Sequence, residues 1–139
     1  MRSGSLERTV EFIVKLENRG PRMEEWNDNL IYALRARGLN DNVAIDTGPL
    51  LNNAGLKDVA AGFEKAPVGW GNKVGDLFGQ NTYLAMESTK PILSSVMVVS
   101  EEYYDEMVSQ AKLEMPKTKP TYDIWWAYGR KPEVDLKTN

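Results

Sequence analysis

Side chains able to transfer protons are few in this sequence, which contains no histidine and no cysteine. These absences exclude a Ser-His-Asp triad, imidazole and thiolate metal sites, cysteine nucleophiles and disulfides. Any acid–base chemistry therefore has to come from Asp, Glu, Tyr or Lys. The candidates that we single out for proton transfer are Asp76, Tyr83, Glu87 and Asp123.

Asn81 is the candidate for orienting a substrate. It falls on the apolar stripe predicted for a long helix, together with Val74, Leu77, Phe78, Leu84 and Ala85. A buried side-chain amide requires hydrogen-bond partners. Asn81 is therefore predicted either to be a satisfied structural residue or to donate to a substrate in a pocket.

Large apolar side chains provide candidates for the wall of a ligand pocket, namely Trp70, Phe78, Met86, Trp125 and Trp126. Packing in an ordinary core is the simplest interpretation of this set. Trp125 and Trp126 are adjacent in a predicted strand, however, so they face opposite sides of the sheet. At least one of the two leaves the main core, where it would line a ligand pocket or a subunit interface.

Two further patterns resemble ligand sites but have a simpler structural interpretation. Gly69, Gly71 and Gly75 follow a predicted strand and open a helix, but the third glycine comes one residue late for a dinucleotide-binding turn. A turn that packs Trp70 on the core is favoured instead. The acidic residues at 101–106 are typical of a solvated helix start, because adjacent residues on a helix do not converge on a metal ion.

Three strands and four helices are predicted to position these residues. Alternating apolar residues predict strands over 6–16, 57–66 and 122–128. The first helix is predicted from about 22 to 37, and a short second helix is predicted to be capped by Asp46 or Thr47. A long helix is predicted from Asn72 onward, with a kink or restart at Pro91. The last helix is predicted from its cap at Ser100 to Pro116. The apolar run Val96–Val99 is predicted to be buried. The order predicts one α/β domain over 1–132, followed by a tail at 133–139.

Length and composition limit the classes of protein that this chain can represent. It has 139 residues, of which 42% are hydrophobic, so one ordinary globular core is expected. Its 17 basic residues are scattered among 20 acidic ones, which argues against a nucleic-acid partner. No apolar run approaches the length of a membrane span, and the first residues lack the apolar core of a signal peptide. We therefore expect a soluble, cytoplasmic protein without a membrane partner.

Several segments, taken in order, carry a resemblance to a known family. They are "NNAGLKDV" at 52–59, "APVGWG" at 66–71, "SEEYYDEMVSQA" at 100–111 and "YGRKP" at 128–132. The chain resembles the C-terminal half of fungal class I S-adenosylmethionine-dependent methyltransferases, the LaeA-like enzymes of secondary metabolism. The opening "RSGSLERTVEF" is similar to the turn before the fifth strand of that fold, with Gly4 matching one of two glycines.

The resemblance implies a particular sheet. The fifth, sixth and seventh strands of the family would be residues 6–16, 57–66 and 121–128, with the last strand antiparallel between the other two. The helices at 72–93 and 100–115 would form a lid over the substrate. In this family the cofactor lies on the first half of the fold, so the resemblance implies no cofactor-binding residues here and methyl transfer only if a partner completes the site.

The predicted strand at 6–16 is also expected to determine which partners the chain binds. In the family topology, the strand at 6–16 has a fourth strand as its neighbour, so here its edge is expected to be free. A free apolar edge is a template for another chain. We therefore expect a homodimer joined along this edge, or a heterodimer with a more complete methyltransferase-like partner.

Three functions follow as hypotheses. The first is a methyltransferase-like protein without its own cofactor site that binds a hydrophobic natural product or a methyltransferase partner. The second is a cofactor-independent enzyme, a cyclase or isomerase, that folds a polyketide or terpenoid by shape, exclusion of water and a few polar donors. The third is the substrate-side subunit of a heteromeric S-adenosylmethionine-dependent methyltransferase.

Overall fold

The computed structural model describes residues 5–39 and 43–132, so that Gly4 and the predicted tail at 133–139 lie outside the described residues. The elements, in chain order, are β1 (Leu6–Phe12), α1 (Pro21–Ala36), α2 (Val43–Asn53), β2 (Lys57–Pro67), α3 (Lys73–Ser88), α4 (Lys90–Met97), α5 (Glu101–Thr118) and β3 (Thr121–Arg130). The mixed α/β composition predicted from the sequence is confirmed. The described residues divide into two compact units, one of 5–13, 43–64 and 124–132, the other of 14–39 and 65–123.

A three-stranded sheet has the order β1-β3-β2, so the last strand of the chain is the central one. β3 runs antiparallel to β1, with Leu6 opposite Arg130 and Phe12 opposite Ile124. In the first unit, helix α2 lies close to β2, because an added Cβ on Gly48 would be 2.9 Å from the Cβ of Ala61. β1 is an edge strand of this sheet.

The first strand is shorter than predicted: it ends at Phe12, whereas the sequence predicts a strand to residue 16. Beyond it, in the second unit, the buried amide of Asn27 accepts from the Leu16 N–H at 2.9 Å and donates to the Val14 carbonyl at 3.0 Å. The Asn27 side chain therefore hydrogen-bonds to the backbone groups that would pair with a neighbouring strand if β1 continued. Beyond Phe12, an isolated antiparallel bridge joins Glu17 to Thr121.

The core of the second unit lies between its helices. Its fully or nearly fully buried members are Leu16, Met23, Trp26, Val68, Met86, Leu93, Tyr104, Met107, Val108, Ala111 and Met115. The inner face predicted for α5, made of Tyr104, Met107, Val108 and Ala111, is confirmed. Tyr104 is held in this core by the hydrogen bond that its hydroxyl donates to the Met86 carbonyl at 2.5 Å.

The helix ends follow the sequence in part. Asn72 caps α3 by accepting from the Gly75 N–H at 2.8 Å, and Ser100 caps α5 by accepting from the Tyr103 N–H at 3.1 Å, as predicted. Pro91 lies in the first turn of α4 and so restarts the helix. The predicted stop at Pro116 is wrong. α5 continues to Thr118, because a proline in the last turn removes only one hydrogen bond and the Lys119 N–H closes the turn on Met115.

Two other predictions about helices are wrong. α2 begins at Val43 rather than at a cap formed by Asp46 or Thr47, and Pro49 lies inside it. The run 96–99 is not buried, since Val96 and Val98 are exposed. Val98 is the left-handed C-cap of α4, with φ at 56°, and this turn directs its side chain away from the core.

The buried face of α3 differs from the one predicted. Gly75, Gly79, Thr82 and Met86 face inward, whereas Val74, Leu77 and Leu84 are exposed. The reason is the close approach of the helix to the turn before it. A Cβ on Gly75 would lie 1.8 Å from the Trp70 carbonyl oxygen, and one on Gly79 would lie 2.6 Å from the Gly69 Cα. Only residues without a side chain fit this contact, so the aliphatic face turns outward.

Candidate functional site

A groove of about 610 Å³ lies between α3 and α5, entirely within the second unit. Its lining comprises Gly69, Asp76, Gly79, Gln80, Tyr83, Leu84, Lys112, Met115 and Pro116. This volume falls within the range of pockets that hold small molecules. The groove is therefore the first candidate for a ligand site in the described part of the chain.

The floor of the groove is set by three residues that touch. Gly69, at φ +78°, lies between Gly79 and Met115, because a Cβ at Gly69 would be 2.7 Å from the Met115 sulfur. The Gly69 N–H also donates to the Gly75 carbonyl at 2.8 Å, which ties the turn to the first turn of α3. These contacts give the groove a rigid base, to which the almost fully buried Met115 contributes an apolar, polarizable thioether.

One wall of the groove joins a cation to an aromatic ring. The Lys112 ammonium lies 4.5 Å from the centroid of the Tyr83 ring. The Tyr83 hydroxyl in turn interacts with the Glu87 carboxylate, and this hydrogen bond raises the pKa of Tyr83. Lys112 lies over the face of the Tyr83 ring as a cation–π partner.

The polar side chains of α3 line the same side of the groove. Asp76, Gln80 and Tyr83 are spaced by four and three residues, so they share one face of the helix. Among the described residues, the side chains of Asp76, Gln80 and Lys112 have no hydrogen-bond or ion-pair partner. An apolar base bordered by a carboxylate, an amide and an ammonium group can bind a ligand that has an apolar body and a polar end.

A smaller depression of about 260 Å³ lies on the other side of Tyr83. It is bordered by the ion pair between Lys90 and Asp105, whose nitrogen and oxygen are 2.9 Å apart. The hydrogen bond that the Lys90 ammonium donates to Asp105 raises the pKa of Lys90. These charges are already paired, so this depression offers less to a ligand than the groove does.

The structure brings two of the predicted site residues together, since Asp76 and Tyr83 both line the groove. Asn81 is not buried as predicted: it is exposed and is not among the groove-lining residues. Asp123 is paired with Lys65 at 2.9 Å. Glu87 does not line the groove, and it influences the site through its hydrogen bond with Tyr83.

The predicted wall residues lie outside the groove. Met86 is fully buried in the core, and Phe78 packs against that core. The half-buried Trp70 donates its indole N–H to the Pro120 carbonyl at 2.7 Å. In the first unit, Trp125 stacks on Phe63 with ring centroids 4.9 Å apart, and Trp126 stacks on Tyr128 at 5.9 Å.

A second, shallower surface lies on the sheet of the first unit. It is a depression of about 360 Å³ lined by Leu6, Arg8, Val10, Trp126, Ala127 and Tyr128. Leu6, Val10 and Tyr128 are all exposed. This surface belongs to β1 and β3 and includes the edge strand.

Sequence reasoning missed Gln80 and Lys112, which the structure places in the groove. Gln80 had a signal, because it follows Asp76 by four residues and precedes Tyr83 by three. Lys112 had none, since it lies on a different helix and its proximity to Tyr83 depends on how α3 packs on α5. In residues 5–39 and 43–132, no group of three acidic side chains is arranged to hold a metal ion, and no helix is long and apolar enough to cross a membrane.

Searches against protein-family models and against curated proteins find no match for this chain.

Proposed function

We propose that this chain is a methyltransferase-like protein of secondary metabolism, without a cofactor site of its own, that binds a hydrophobic natural product in the cytoplasm. The observation that carries the proposal is the groove between α3 and α5, with its apolar base and polar rim. The two helices are those that the resemblance assigns to a substrate lid.

The sheet supports the likeness to the methyltransferase fold. The resemblance expects the last strand between the first two and antiparallel to the first, and the order β1-β3-β2 has this arrangement. Sheet order is a coarse feature that unrelated folds share. It supports the proposed family without defining an activity.

The chemistry of the groove indicates the class of ligand. The Lys112 ammonium favours an anionic or strongly polarised oxygen, and the Met115 and Leu84 side chains favour an apolar body. The Tyr83 side chain adds an aromatic wall beside Lys112, whose ammonium group covers one face of the ring. We therefore propose a ligand with an aromatic or polyene body and a carboxylate, enolate or phenolate oxygen.

Calorimetric titration with 1-naphthoic acid tests this proposal, and 1-naphthalenemethanol is the uncharged comparison. The acid is expected to bind more tightly than the alcohol. Lys112→Gln should weaken binding of the acid by roughly two- to fivefold, as expected for an exposed ion pair, and leave binding of the alcohol unchanged. Lys117→Gln on the same helix is the control, because Lys117 does not line the groove. Equal effects of the two substitutions, or no binding of either compound, would reject the proposed site.

A second candidate function is association with a partner through β1, as a homodimer or as the substrate-side subunit of a methyltransferase. The position of β1 at the sheet edge and the exposed apolar surface beside it favour this candidate. Titration with S-adenosylmethionine distinguishes the two candidates. Binding only in the presence of a methyltransferase-like partner chain supports the subunit. Micromolar binding to this chain alone would contradict the absence of a cofactor site.

A further inference from the structure

The exposed face of α3 carries large aliphatic side chains that the core does not use. Val74, Leu77 and Leu84 are 53%, 59% and 61% exposed, and Asn81 lies exposed between them. The buried face of the same helix, with Gly75, Gly79, Thr82 and Met86, lies on the opposite side. We call the face made by Val74, Leu77, Asn81, Leu84 and Ser88 the α3 seam.

The spacing along the seam is three, four, three and four residues, which is the repeat of the contact positions in a two-stranded coiled coil. In that repeat, Val74 and Asn81 occupy the first type of contact position, and Leu77 and Leu84 occupy the second. A β-branched residue at the first and leucine at the second favour pairing of two helices. A single asparagine at a contact position restricts the register and the number of helices.

We propose that two copies of this chain pair through their α3 seams, with the helices antiparallel. In this arrangement Val74 of one copy lies opposite Leu84 of the second, and Leu77 lies opposite Asn81. The proposal goes beyond ligand binding, but the two surfaces share residues, because Leu84 of the seam and the neighbouring Gln80 also line the groove. Dimer formation and a ligand that contacts these two side chains are therefore expected to compete.

Charge complementarity selects the second copy and the antiparallel direction. Lys73 and Glu87 flank the seam on the same side, near opposite ends of the helix, and Gln80 lies midway between them. Antiparallel pairing brings Lys73 of each copy next to Glu87 of the other, which forms two ion pairs. Parallel pairing forms neither of them.

The seam is short, since α3 has 16 residues. Such a helix is about 24 Å long. We therefore expect a weak dimer whose population depends on concentration.

Sedimentation equilibrium over a range of concentrations measures this association directly. The unaltered chain is expected to show a monomer–dimer equilibrium, and Leu77→Ser is expected to weaken it by about tenfold or more, because it removes a central contact. Leu113→Ser is the matched control, since Leu113 is 68% exposed on α5 and lies off the seam. Val10→Lys on β1 is a second control. A monomer at every concentration, or a dimer that Val10→Lys disrupts and Leu77→Ser does not, would overturn the proposal.

Charge reversal tests the pairing without removing apolar contacts. Lys73→Glu and Glu87→Lys are each expected to weaken the dimer, because each places like charges together. The double variant restores opposite charges and is expected to recover most of the affinity. Additive losses in the double variant would contradict the antiparallel ion pairs.

Single cysteines test the direction of the helices, and the chain contains no cysteine that interferes. In the proposed dimer, Gln80 lies opposite Gln80 of the second copy, whereas the two Lys73 residues are separated by about 20 Å along the helix. Under mild oxidation, Gln80→Cys is expected to form a covalent dimer and Lys73→Cys is not. Crosslinking of both, or of Lys73→Cys alone, would overturn the antiparallel arrangement. Binding of the chain to lipid vesicles, lost in Leu77→Ser without any dimer, would assign the seam to a membrane surface and reject the proposal.

Discussion

The side-chain oxygen of Asn27 accepts a hydrogen bond from the backbone N–H of Leu16 at 2.9 Å. The amide nitrogen of Asn27 donates to the Val14 carbonyl at 3.0 Å, and Arg19 donates to the same Asn27 oxygen at 3.2 Å. Asn27 is fully buried, and so is its hydrogen bond with Leu16, whereas the contacts with Val14 and Arg19 are partly buried. One side chain thereby fixes the segment that follows β1 onto α1.

Replacement of Asn27 by alanine leaves the buried Leu16 N–H and the partly buried Val14 carbonyl without this partner. Each such group costs about 1–3 kcal/mol, so we expect Asn27→Ala to lower the free energy of unfolding by about 2–4 kcal/mol. Asn29→Ala is the control, because Asn29 is only half-buried and donates to Glu25 within α1. Urea unfolding measures both variants. A loss below about 0.5 kcal/mol at Asn27 would show that water replaces its contacts.

Because α3 packs closely against the turn at Gly69, replacement of Gly79 by alanine is expected to destabilise the fold, opposite to the usual effect of Gly→Ala in a helix. At a solvent-exposed helical position, Gly→Ala stabilises by up to about 1 kcal/mol. At Gly79 the added Cβ would lie 2.6 Å from the Gly69 Cα, so we expect destabilisation by about 1–3 kcal/mol and weaker binding of 1-naphthoic acid. Thermal unfolding and calorimetry provide the two readouts. A stabilised Gly79→Ala would mean that the helix does not pack as described.

Burial of Tyr122 predicts a loss of stability at alkaline pH. Burial raises the pKa of Tyr122 above the ordinary tyrosine value of 10.0. The unfolded chain therefore loses this proton first, so stability is fully present below about pH 10 and falls as the pH rises through the pKa of the folded state. Tyr122→Phe should make this fall shallower, whereas the exposed Tyr32→Phe should not. Urea unfolding between pH 8 and pH 11 gives the comparison, and identical slopes in all three proteins would contradict it.

The ion pair between Asp123 and Lys65 predicts a small structural effect. Asp123 lies 2.9 Å from the Lys65 ammonium, and the hydrogen bond between them raises the pKa of Lys65. The Lys65 side chain is 55% exposed, so Asp123→Asn should change stability by only about 0.2–1 kcal/mol. Binding of 1-naphthoic acid should stay within about twofold. A tenfold loss of binding would contradict this prediction and show that Asp123 takes part in ligand binding.

Sequence patterns predicted the elements better than they predicted the helix faces. The caps at Asn72 and Ser100 and the restart at Pro91 are local signals, and local hydrogen bonds decide them. The inward face of α3 is decided by a tertiary contact, the approach of Gly75 and Gly79 to residues 69 and 70. Hydrophobic periodicity favours the face with Leu77 and Leu84, so it could not identify the glycine face.

The candidate site was predictable only where it depends on one helix. Asp76 and Tyr83 share a face of α3, and their residue types marked them as candidates. Lys112 joins them through helix packing, which no spacing in the sequence encodes. Asn81 was misplaced for the same reason as Leu77, because the predicted stripe was the exposed one.

Mapping of amide chemical shifts during a titration with 1-naphthoic acid tests most directly whether the groove between α3 and α5 binds a ligand. The largest changes are predicted at Gly69, Gln80, Tyr83 and Lys112, with little change in the sheet. They should shrink in Lys112→Gln and persist in Lys117→Gln. A ligand site in this groove would be contradicted if the largest changes occurred on β1 and β3, around Val10 and Tyr128. It would also be contradicted if no changes occurred at millimolar ligand.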